Sequence, residues 1–388
     1  MTCAFLGGNC VELLESGSEY FPALLAAIDA ATVEIHIETY IFEADATGRR
    51  IAAALTRAAR RGVAVRVLVD GFGAREFPDA LGRGLLAGGV EVLVYRPEVA
   101  ALRLRRNRLR RLHRKLAVID ARIAFVGGIN VIDDMDTPAQ TPPRYDYAVR
   151  VEGPLLADIH GTVRHLWQLV RWAGLRRRHP EKSLHPVVAR CGDTAAAFAI
   201  RDNLRHRRDI EDAYLDAIAA ARDEVVIASA YFLPGRHFRH ALAEAARRGV
   251  RVTVLLQGRV EYMLLHYATR ALYATLLQAG VRIFEYRCSF LHAKVAVADR
   301  SWATVGSSNI DPFSLLLARE ANVFVRDAAF AQRLRASLQR AMDLGATEVR
   351  AADMQRRSFA ARVLSWFAYG MVRLMIGFTR YGGNDYRE

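Results

Sequence analysis

The stretch 58–71, AARRGVAVRVLVDG, recurs with few changes at 245–258 as AARRGVRVTVLLQG. A second match, LHRKLAVID at 112–120 against LHAKVAVAD at 291–299, follows in the same order at a similar offset. Self-similarity over such a long period indicates a duplicated structural unit. A chain of 388 residues is also too long for one ordinary hydrophobic core. We therefore expect two halves of related structure.

Each unit begins with an apolar run, VEIHIETYIF from residue 33 and VVIASAYFL from residue 225. An alanine-rich amphipathic helix follows, and an RGV turn leads into a second buried strand, which is the order β-α-β. Strands that are apolar almost throughout are typical of a sheet covered on both faces. The sequence predicts an α/β fold: two duplicated α-β-α sandwich domains related by pseudo-twofold symmetry, with mainly parallel or mixed sheets.

The predicted domain limits follow from the repeat and from changes in composition. Residues 1–178 form the first domain and residues 193–348 the second. A charged, proline-containing stretch without clear periodicity marks a linker at 179–192. Residues 349–388 form an amphipathic C-terminal segment. The aromatic residues after the first strand of each unit, Tyr40, Phe42, Tyr231 and Phe232, are expected in the core or in the wall of a cleft.

Both units contain the spacing His, one residue, Lys, four residues, Asp. The six motif residues, which we predict as the catalytic set, are His113, Lys115, Asp120, His292, Lys294 and Asp299. The residues between them are apolar, as in a buried strand, so the His and Lys of each motif lie on one face. A single phosphate could contact both side chains.

The composition gives these motifs further weight. Only three lysines occur among the 55 basic residues, and two of them are Lys115 and Lys294. Lysine is a compact point charge on a flexible stem, whereas arginine is a broad planar fork. A chain that otherwise uses arginine therefore has a specific need for ammonium groups at these two positions.

Polar residues at matching places after the motifs complete the candidate site. Asn130 ends VGGIN and Asn309 ends VGSSN, where small residues let a ligand approach the backbone and the amide can donate to phosphate oxygen. Asp146 and Glu320 each open a later apolar strand. We expect each carboxylate to bind the second ring nitrogen of the histidine in its own half and so to fix its tautomer.

These motifs, and the stretches 113–130, 145–154, 228–235 and 291–323 around them, resemble the phospholipase D superfamily. More narrowly, they are similar to the bacterial B-type cardiolipin synthases, which lack N-terminal membrane spans. The resemblance covers nearly the whole chain, and both motifs are unbroken. It implies that each half is a phospholipase D-like domain, that His113 is the nucleophile and that His292 is the general acid and base. It also implies that the lysines and asparagines bind phosphate and that the two motif aspartates are more structural than chemical.

The implied reaction is phosphatidyl transfer, with phosphatidylglycerol or another phospholipid such as phosphatidylethanolamine as donor and phosphatidylglycerol as acceptor. It passes through a phosphatidyl-histidine. Paired lysines would offset the phosphate charge as a metal does at other phosphoryl-transfer sites. The sequence has no further carboxylate or Cys/His cluster with metal-ligand spacing, so we expect neither a metal nor a cofactor.

A net charge of +14 indicates an anionic partner. The run 103–115 leads directly into the first motif and could bind anionic headgroups or a nucleic-acid backbone, or form a solvated loop. Its candidate membrane-binding residues are Arg103, Arg105, Arg106, Arg108, Arg110 and Arg111. In the segment 358–381, Trp366 and Phe367 alternate with arginines, as in a helix that lies in the headgroup plane. The alternative is an amphipathic helix packed on a domain.

No secretory signal or spanning segment is recognisable, so we expect a peripheral enzyme at the cytoplasmic face of the bacterial membrane. Three alternatives share these features: a phospholipase D that uses water as acceptor, a nuclease of the same superfamily, and a noncatalytic membrane-binding scaffold. The apolar C-terminal segment favours lipid over nucleic acid as the partner. Two intact motifs disfavour the scaffold.

Overall fold

The computed structural model describes residues 4–97, 110–137, 141–174, 184–202, 206–311, 318–355 and 358–379. Its centre is a mixed sheet of fifteen strands. In chain order the strands β1 to β15 are Leu6–Glu15, Glu34–Thr39, Ala64–Asp70, Glu91–Tyr95, Lys115–Ile119, Ile123–Gly127, Tyr147–Glu152, Thr194–Arg201, Glu224–Ser229, Arg251–Gln257, Arg282–Tyr286, Lys294–Ala298, Trp302–Gly306, Glu320–Arg326 and Ala346–Val349.

The helices lie between the strands, as the alternating pattern predicts. A short π-helical turn, Pro78–Gly82, precedes the third helix. In chain order the helices α1 to α10 are Ser16–Ala30, Ala46–Arg60, Arg83–Ala87, Leu156–Ala173, Asp209–Ala220, Arg236–Arg247, Met263–Gln278, Ala328–Gly345, Ala351–Gln355 and Phe359–Thr379.

The strand order shows the duplication directly. The first half runs β1-β7-β6-β5-β2-β3-β4, and the second runs β8-β14-β13-β12-β9-β10-β11. The halves join where β1 pairs antiparallel with β8, with Leu6 opposite Ala196 and Asn9 opposite Thr194. Strand β15 then adds antiparallel to β11 at the outer edge of the second half. The predicted α/β class and pseudo-twofold duplication are confirmed, whereas the proposed domain limits stay a prediction.

Burial on both faces of the sheet explains the apolar character of the strands. All six residues of β2 and all five of β5 are buried. One hydrophobic cluster packs α1 and α2 on the first half, and another packs α5, α6 and α7 on the second. A third cluster draws side chains from both halves, including Val126 and Val149 from the first and Val305 and Val323 from the second, together with residues of α4 and α8. The two halves therefore share this third cluster, in addition to the cluster that each half has of its own.

The motif aspartates hold the fold at the ends of β5 and β12. Asp120 has a φ of 51° and Asp299 a φ of 50°, in the left-handed region that aspartate tolerates better than most residues. The Asp120 carboxylate accepts hydrogen bonds from the backbone amides of residues 32, 33 and 34 at 2.8–2.9 Å. Asp299 accepts from the amides of residues 222, 223 and 224. Each aspartate therefore fixes a turn from a helix into a strand. Asp120 fixes the turn from α1 into β2, and Asp299 fixes the turn from α5 into β9.

Removing one of these carboxylates should cost stability. Asp120→Ala leaves three amides without their acceptor, and we expect the free energy of unfolding to fall by about 2 kcal/mol. Urea denaturation followed by circular dichroism measures this loss. As a control, Asp79→Ala removes an exposed ion pair with Arg83 and should change stability by less than about 0.5 kcal/mol. An Asp120→Ala protein of unchanged stability that has lost all turnover would instead make Asp120 a chemical group.

Candidate active site

The two motif histidines line one cavity of about 400 Å³. His113 precedes β5 and His292 precedes β12, so each ring stands at the end of a buried strand. The other walls come from both halves of the chain and are a mixture of aromatic, polar and charged groups. The remaining lining residues are Tyr40, Ile41, Phe72, Arg111, Asn130, Tyr231, Glu261, Tyr262, Leu265, Asn309, Asp311 and Ala318.

Backbone contacts between the halves set the position of each histidine. Leu112 forms an isolated parallel bridge with Arg319, and the His113 amide donates to the Arg319 carbonyl at 3.0 Å. In the same way Leu291 bridges Tyr145, and the His292 amide donates to the Tyr145 carbonyl at 2.8 Å. Each motif therefore begins on a backbone segment of the opposite half.

The orienting carboxylates are exchanged between the halves. His113 Nδ1 lies 2.9 Å from Glu320 Oε1, and His292 Nδ1 lies 2.7 Å from Asp146 Oδ2. The predicted pairing of each carboxylate with the histidine of its own half was wrong. The parallel bridges are the reason, because they pair Leu112 with Arg319 and Leu291 with Tyr145. The residue that follows each bridge partner is then His113 beside Glu320 and His292 beside Asp146.

Burial keeps both imidazoles neutral near pH 7. Desolvation lowers the pKa of His113 although Glu320 acts to raise it. Desolvation and the neighbouring Lys294 charge lower the pKa of His292 to about 3. A neutral ring that donates Nδ1–H to a carboxylate has its Nε2 lone pair on the other side. Each histidine is therefore in the form that a nucleophile or a general base requires.

The two lysines are buried beside the histidines. Lys115 Nζ donates to the His113 carbonyl at 2.5 Å, and Lys294 Nζ donates to the His292 carbonyl. Desolvation lowers the pKa of Lys115 to about 7, and burial also lowers the pKa of Lys294. A buried ammonium is poorly solvated, so a phosphate anion brought against it gains more than it would in water.

The two asparagines lie at equivalent places in the cavity wall. Asn130 Oδ1 accepts from the amide of Ile41 at 3.2 Å, and Asn309 Oδ1 accepts from the amide of Tyr231 at 3.4 Å. These bonds fix the plane of each amide group. The structure thus brings His113, His292 and both asparagines to one cavity, with the lysines and orienting carboxylates directly behind the histidines. Asp120 and Asp299 lie at the far ends of their strands instead.

Two residues at the site, Asp70 and Glu261, carried no signal in the repeat. Asp70 at the end of β3 accepts from the amide of Leu112 at 2.8 Å and so holds the residue before His113. The same carboxylate accepts from the backbone amides of Phe72 and Gly73, in the Asp-Gly turn that the sequence does show. Tyr231 donates to Glu261 at 2.5 Å, which ties the wall of the cavity to the loop before α7.

The predicted aromatic positions divide between cavity and core. Tyr40 and Tyr231 line the cavity, and the Tyr40 ring lies 4.9 Å from the His113 ring, centroid to centroid. Phe42 and Phe232 are buried in the hydrophobic clusters of the first and second half. The four aromatic residues are therefore divided between the two predicted environments, the cleft wall and the core.

Comparison with known proteins identifies this arrangement. The domain family described as "Cardiolipin synthase, PLD-like domain" matches residues 24–136 and 214–342, so that each matched part contains one complete motif. The chain belongs to this family. Cardiolipin synthase B of Salmonella typhi is 43% identical over 349 residues, which cover 87% of this chain and 82% of the relative.

A second relative agrees with the family assignment, and a solved structure shares the fold. Cardiolipin synthase B of Escherichia coli (strain K12) is 40% identical over 384 residues, covering 96% of this chain and 90% of the relative. Among solved structures, a phosphatidylserine synthase of Haemophilus influenzae Rd KW20 superposes with a TM-score of 0.67 at 16% identity and covers 96% of both chains. That similarity concerns the fold.

The candidate membrane-binding residues of this cardiolipin synthase family member are only partly described. Arg103, Arg105, Arg106 and Arg108 lie outside the described residues. Arg110 and Arg111 are within the described residues. Arg111 lies in the cavity wall, with its Nη1 atom 3.8 Å from Asp70 Oδ1 and its guanidinium carbon 5.0 Å from the centre of the Phe72 ring. In α10, Ala368 and Val372 pack into the core of the second half, while Trp366 and Phe367 are 57% and 65% exposed. Within the described residues no helix is long and apolar enough to cross a bilayer.

Among the residues that the structure describes, one buried group has the spacing of metal ligands, namely Glu34, His36 and His160. Arg66 Nη1 lies 3.0 Å from Glu34 and 3.2 Å from His36, so a guanidinium stands where a cation would bind. Burial would raise the pKa of Glu34, but hydrogen bonds from both histidines hold it well below its usual range. We interpret this group as an internal ion-pair network.

The lowered pKa of Lys115 predicts a pH dependence for phosphodiester binding. In the free protein the Lys115 ammonium loses its charge as the pH rises through about 7, and burial lowers the pKa values of both histidines below their usual range. Glycerophosphoglycerol, a diester that does not titrate in this range, should bind about tenfold more weakly at about pH 8 than at about pH 6. Isothermal titration calorimetry measures both affinities.

The matched variant is Lys115→Met, which should bind the diester weakly at both pH values. An affinity of the wild-type protein that stays constant or rises between the two pH values would contradict a role for the Lys115 charge.

Proposed function

We propose that this protein makes cardiolipin by transferring a phosphatidyl group from one phospholipid to the headgroup hydroxyl of a second. Phosphatidylglycerol is the acceptor, and phosphatidylglycerol or another phospholipid, such as phosphatidylethanolamine, is the donor. The observation that carries the proposal is the pair of histidines on one cavity, each with its Nδ1 bound to a carboxylate of the opposite half. No cofactor is required for this chemistry.

In the first half-reaction, the Nε2 lone pair of His113 attacks the phosphorus of the donor. The bond from phosphorus to the headgroup oxygen breaks, and the leaving oxygen takes a proton from His292 Nε2. With phosphatidylglycerol as donor, free glycerol is released and a phosphatidyl group remains on His113. The family resemblance, rather than the geometry, assigns the nucleophile to His113.

In the second half-reaction, His292 accepts the proton of the acceptor hydroxyl as its oxygen attacks the same phosphorus. The phosphorus–nitrogen bond breaks, and His113 returns as a neutral imidazole while the diphosphatidyl product leaves. If water enters in place of the lipid hydroxyl, the product is phosphatidic acid. The ratio of the two products therefore reports how well the site excludes water.

His292 must carry a proton when the donor is cleaved, although its pKa is lowered to about 3 before substrate binds. The diester brings a negative charge into the cavity next to this ring, and a nearby opposite charge raises the pKa of a histidine. We therefore expect His292 to take its proton from solvent as the donor binds. Asp146 then stabilises the imidazolium in the same way as the acid of a catalytic triad.

The lysines supply the positive charge that the phosphorus needs. Lys115 and Lys294 offset the charge of the non-bridging oxygens in the ground state and in the in-line transition state. Because these ammonium groups belong to the protein, chelation of divalent cations should leave the reaction intact.

Two features favour lipid over a polynucleotide as the substrate. The relatives that cover most of the chain are cardiolipin synthases. The cavity wall includes Phe72, Tyr262 and Leu265, whose apolar surface suits a lipid, whereas a nucleic-acid backbone is bound mainly by positive charge. Both features support a location at a bilayer, and we propose peripheral binding at the cytoplasmic face.

Two parts of the chain would make this contact. The outer side of α10 exposes apolar and aromatic groups, and the basic run 103–111 would attract anionic headgroups. The exposed apolar residues of α10 are Phe359, Val363, Leu364, Trp366, Phe367, Met371, Leu374 and Met375.

The function is tested with purified protein and phosphatidylglycerol vesicles, with and without phosphatidylethanolamine, followed by mass analysis of the lipids. The wild-type protein should form cardiolipin, and His113→Ala and His292→Ala should each lower the rate by at least about a thousandfold. His240→Ala is the control, because this histidine is exposed on α6 and should keep the rate within about twofold.

The outcomes separate the alternatives. Phosphatidic acid without cardiolipin would make the protein a hydrolase, and cleavage of DNA in place of lipid would make it a nuclease. Full activity of His292→Ala, or loss of activity with EDTA, would contradict the mechanism. In a reaction quenched with denaturant at neutral to mildly alkaline pH, where the phosphorus–nitrogen bond survives, the phosphatidyl adduct should lie on the peptide that contains His113.

A further inference from the structure

A group of exposed apolar side chains surrounds the opening of the cavity. They belong to the loop after β3, to the loop after β10 and to the first two residues of α7, and the two loops are at equivalent positions in the two halves. We call them the mouth patch: Phe72, Val260, Tyr262, Met263 and Leu264, which are 46%, 51%, 57%, 65% and 37% exposed. Phe72 and Tyr262 also line the cavity, so the patch is continuous with its wall.

The first turn of α7 exposes large apolar side chains, where a helix on a water-facing surface normally has polar ones. Helix α7 buries Ala268, Leu272 and Leu276 against the core of the second half. Its first two residues, Met263 and Leu264, are exposed instead. Large exposed apolar groups gathered in one place mark a binding surface more often than isolated ones do. Their position at the cavity mouth indicates that the partner is also the source of the substrate.

The charges next to the patch fit an anionic surface. The guanidinium groups of Arg75 and Arg111 lie 5.3 Å and 5.0 Å from the centre of the Phe72 ring. Glu261 is the acidic residue within the patch, and Tyr231 donates a hydrogen bond to its carboxylate. Apolar side chains bordered by arginines are the pattern of protein surfaces that lie in a headgroup layer.

The size of the cavity gives an independent argument. Pockets that enclose a drug-sized ligand have volumes of roughly 300–1,000 Å³, and this cavity holds about 400 Å³. A phospholipid with two long acyl chains is larger than such a ligand. The cavity can hold the phosphate and headgroup, whereas the chains must leave through the mouth, where the patch would otherwise expose them to water.

Helix α7 connects this surface to α10. It begins at the mouth patch and packs against α10, whose opposite side exposes Trp366 and Phe367. Both apolar surfaces are therefore attached to one helix of the second half.

We infer that the mouth patch inserts into the interface of an anionic phospholipid bilayer, so that substrate lipids reach the histidines while their acyl chains stay in the membrane. The inference rests on the proposed function and goes beyond it, because it assigns membrane docking to the opening of the active site itself. Docking is then a condition for the use of long-chain substrates, and soluble short-chain substrates do not depend on it.

The test compares two double variants of the full chain. Val260→Asp/Met263→Asp changes two mouth residues that do not line the cavity. Val187→Asp/Val188→Asp is the control, because these valines are 44% and 49% exposed. They lie away from the cavity: the Val187 amide donates to the carbonyl of Ala121, which follows β5 at the end opposite to His113. Both variants add the same charge. Flotation with phosphatidylglycerol vesicles measures binding, and transfer is measured on those vesicles and on monomeric dihexanoyl phosphatidylglycerol.

The mouth variant should lose at least about tenfold in vesicle binding and in transfer on vesicles, and keep its rate on the monomeric lipid within about twofold. The control should keep all three values. A milder Val260→Ser/Met263→Ser variant should show a smaller loss of the same kind and guards against misfolding. Unchanged binding and transfer on vesicles in the mouth variants would overturn the inference.

Failure of the proposed function gives a different result. In that case the wild-type protein transfers neither lipid, and flotation alone decides whether the patch binds membranes. Equal flotation of the wild-type and mouth variants would then overturn the inference as well.

Discussion

Two hydrogen bonds between histidine and carboxylate, each crossing from one half of the chain to the other, determine the active site. His113 binds Glu320 and His292 binds Asp146 through their Nδ1 atoms. The backbone bridges at Leu112 and Leu291 set up this exchange. Because each half supplies a histidine and the carboxylate that orients the other histidine, neither half holds a complete site. The duplication therefore has a functional consequence as well as a structural one.

The carboxylates of these two bonds are buried, and burial governs the chemistry of the site. Desolvation lowers the pKa values of both histidines and of both lysines. Four basic groups can lie this close together because burial favours their neutral forms, and an arriving phosphate anion favours protonation of the two lysines and of His292. The charge of the substrate is thus part of the machinery: it prepares the acid and the phosphate-binding groups at the moment when they are needed.

The two halves are not equivalent behind the site. Between the motif His and Lys, the first half has Arg114, which is buried and forms an ion pair with Glu38, and the second half has Ala293.

Sequence could predict the duplicated α/β fold, the motifs and the asparagines, because each is encoded in a local pattern that occurs twice. It could not predict the exchanged carboxylates, which depend on bridges between distant segments. Four of the five residues of the mouth patch, among them Met263, lie in the second half, and they gave no repeated signal.

The exchange of carboxylates is tested most directly by NMR of the protein with isotope-labelled histidine, observing the imidazole Nδ1–H resonances. Glu320→Gln should shift the resonance of His113 and leave that of His292 in place, and Asp146→Asn should do the reverse. A shift of His113 caused by Asp146→Asn alone, with Glu320→Gln leaving it unchanged, would contradict an active site built from crossed pairs.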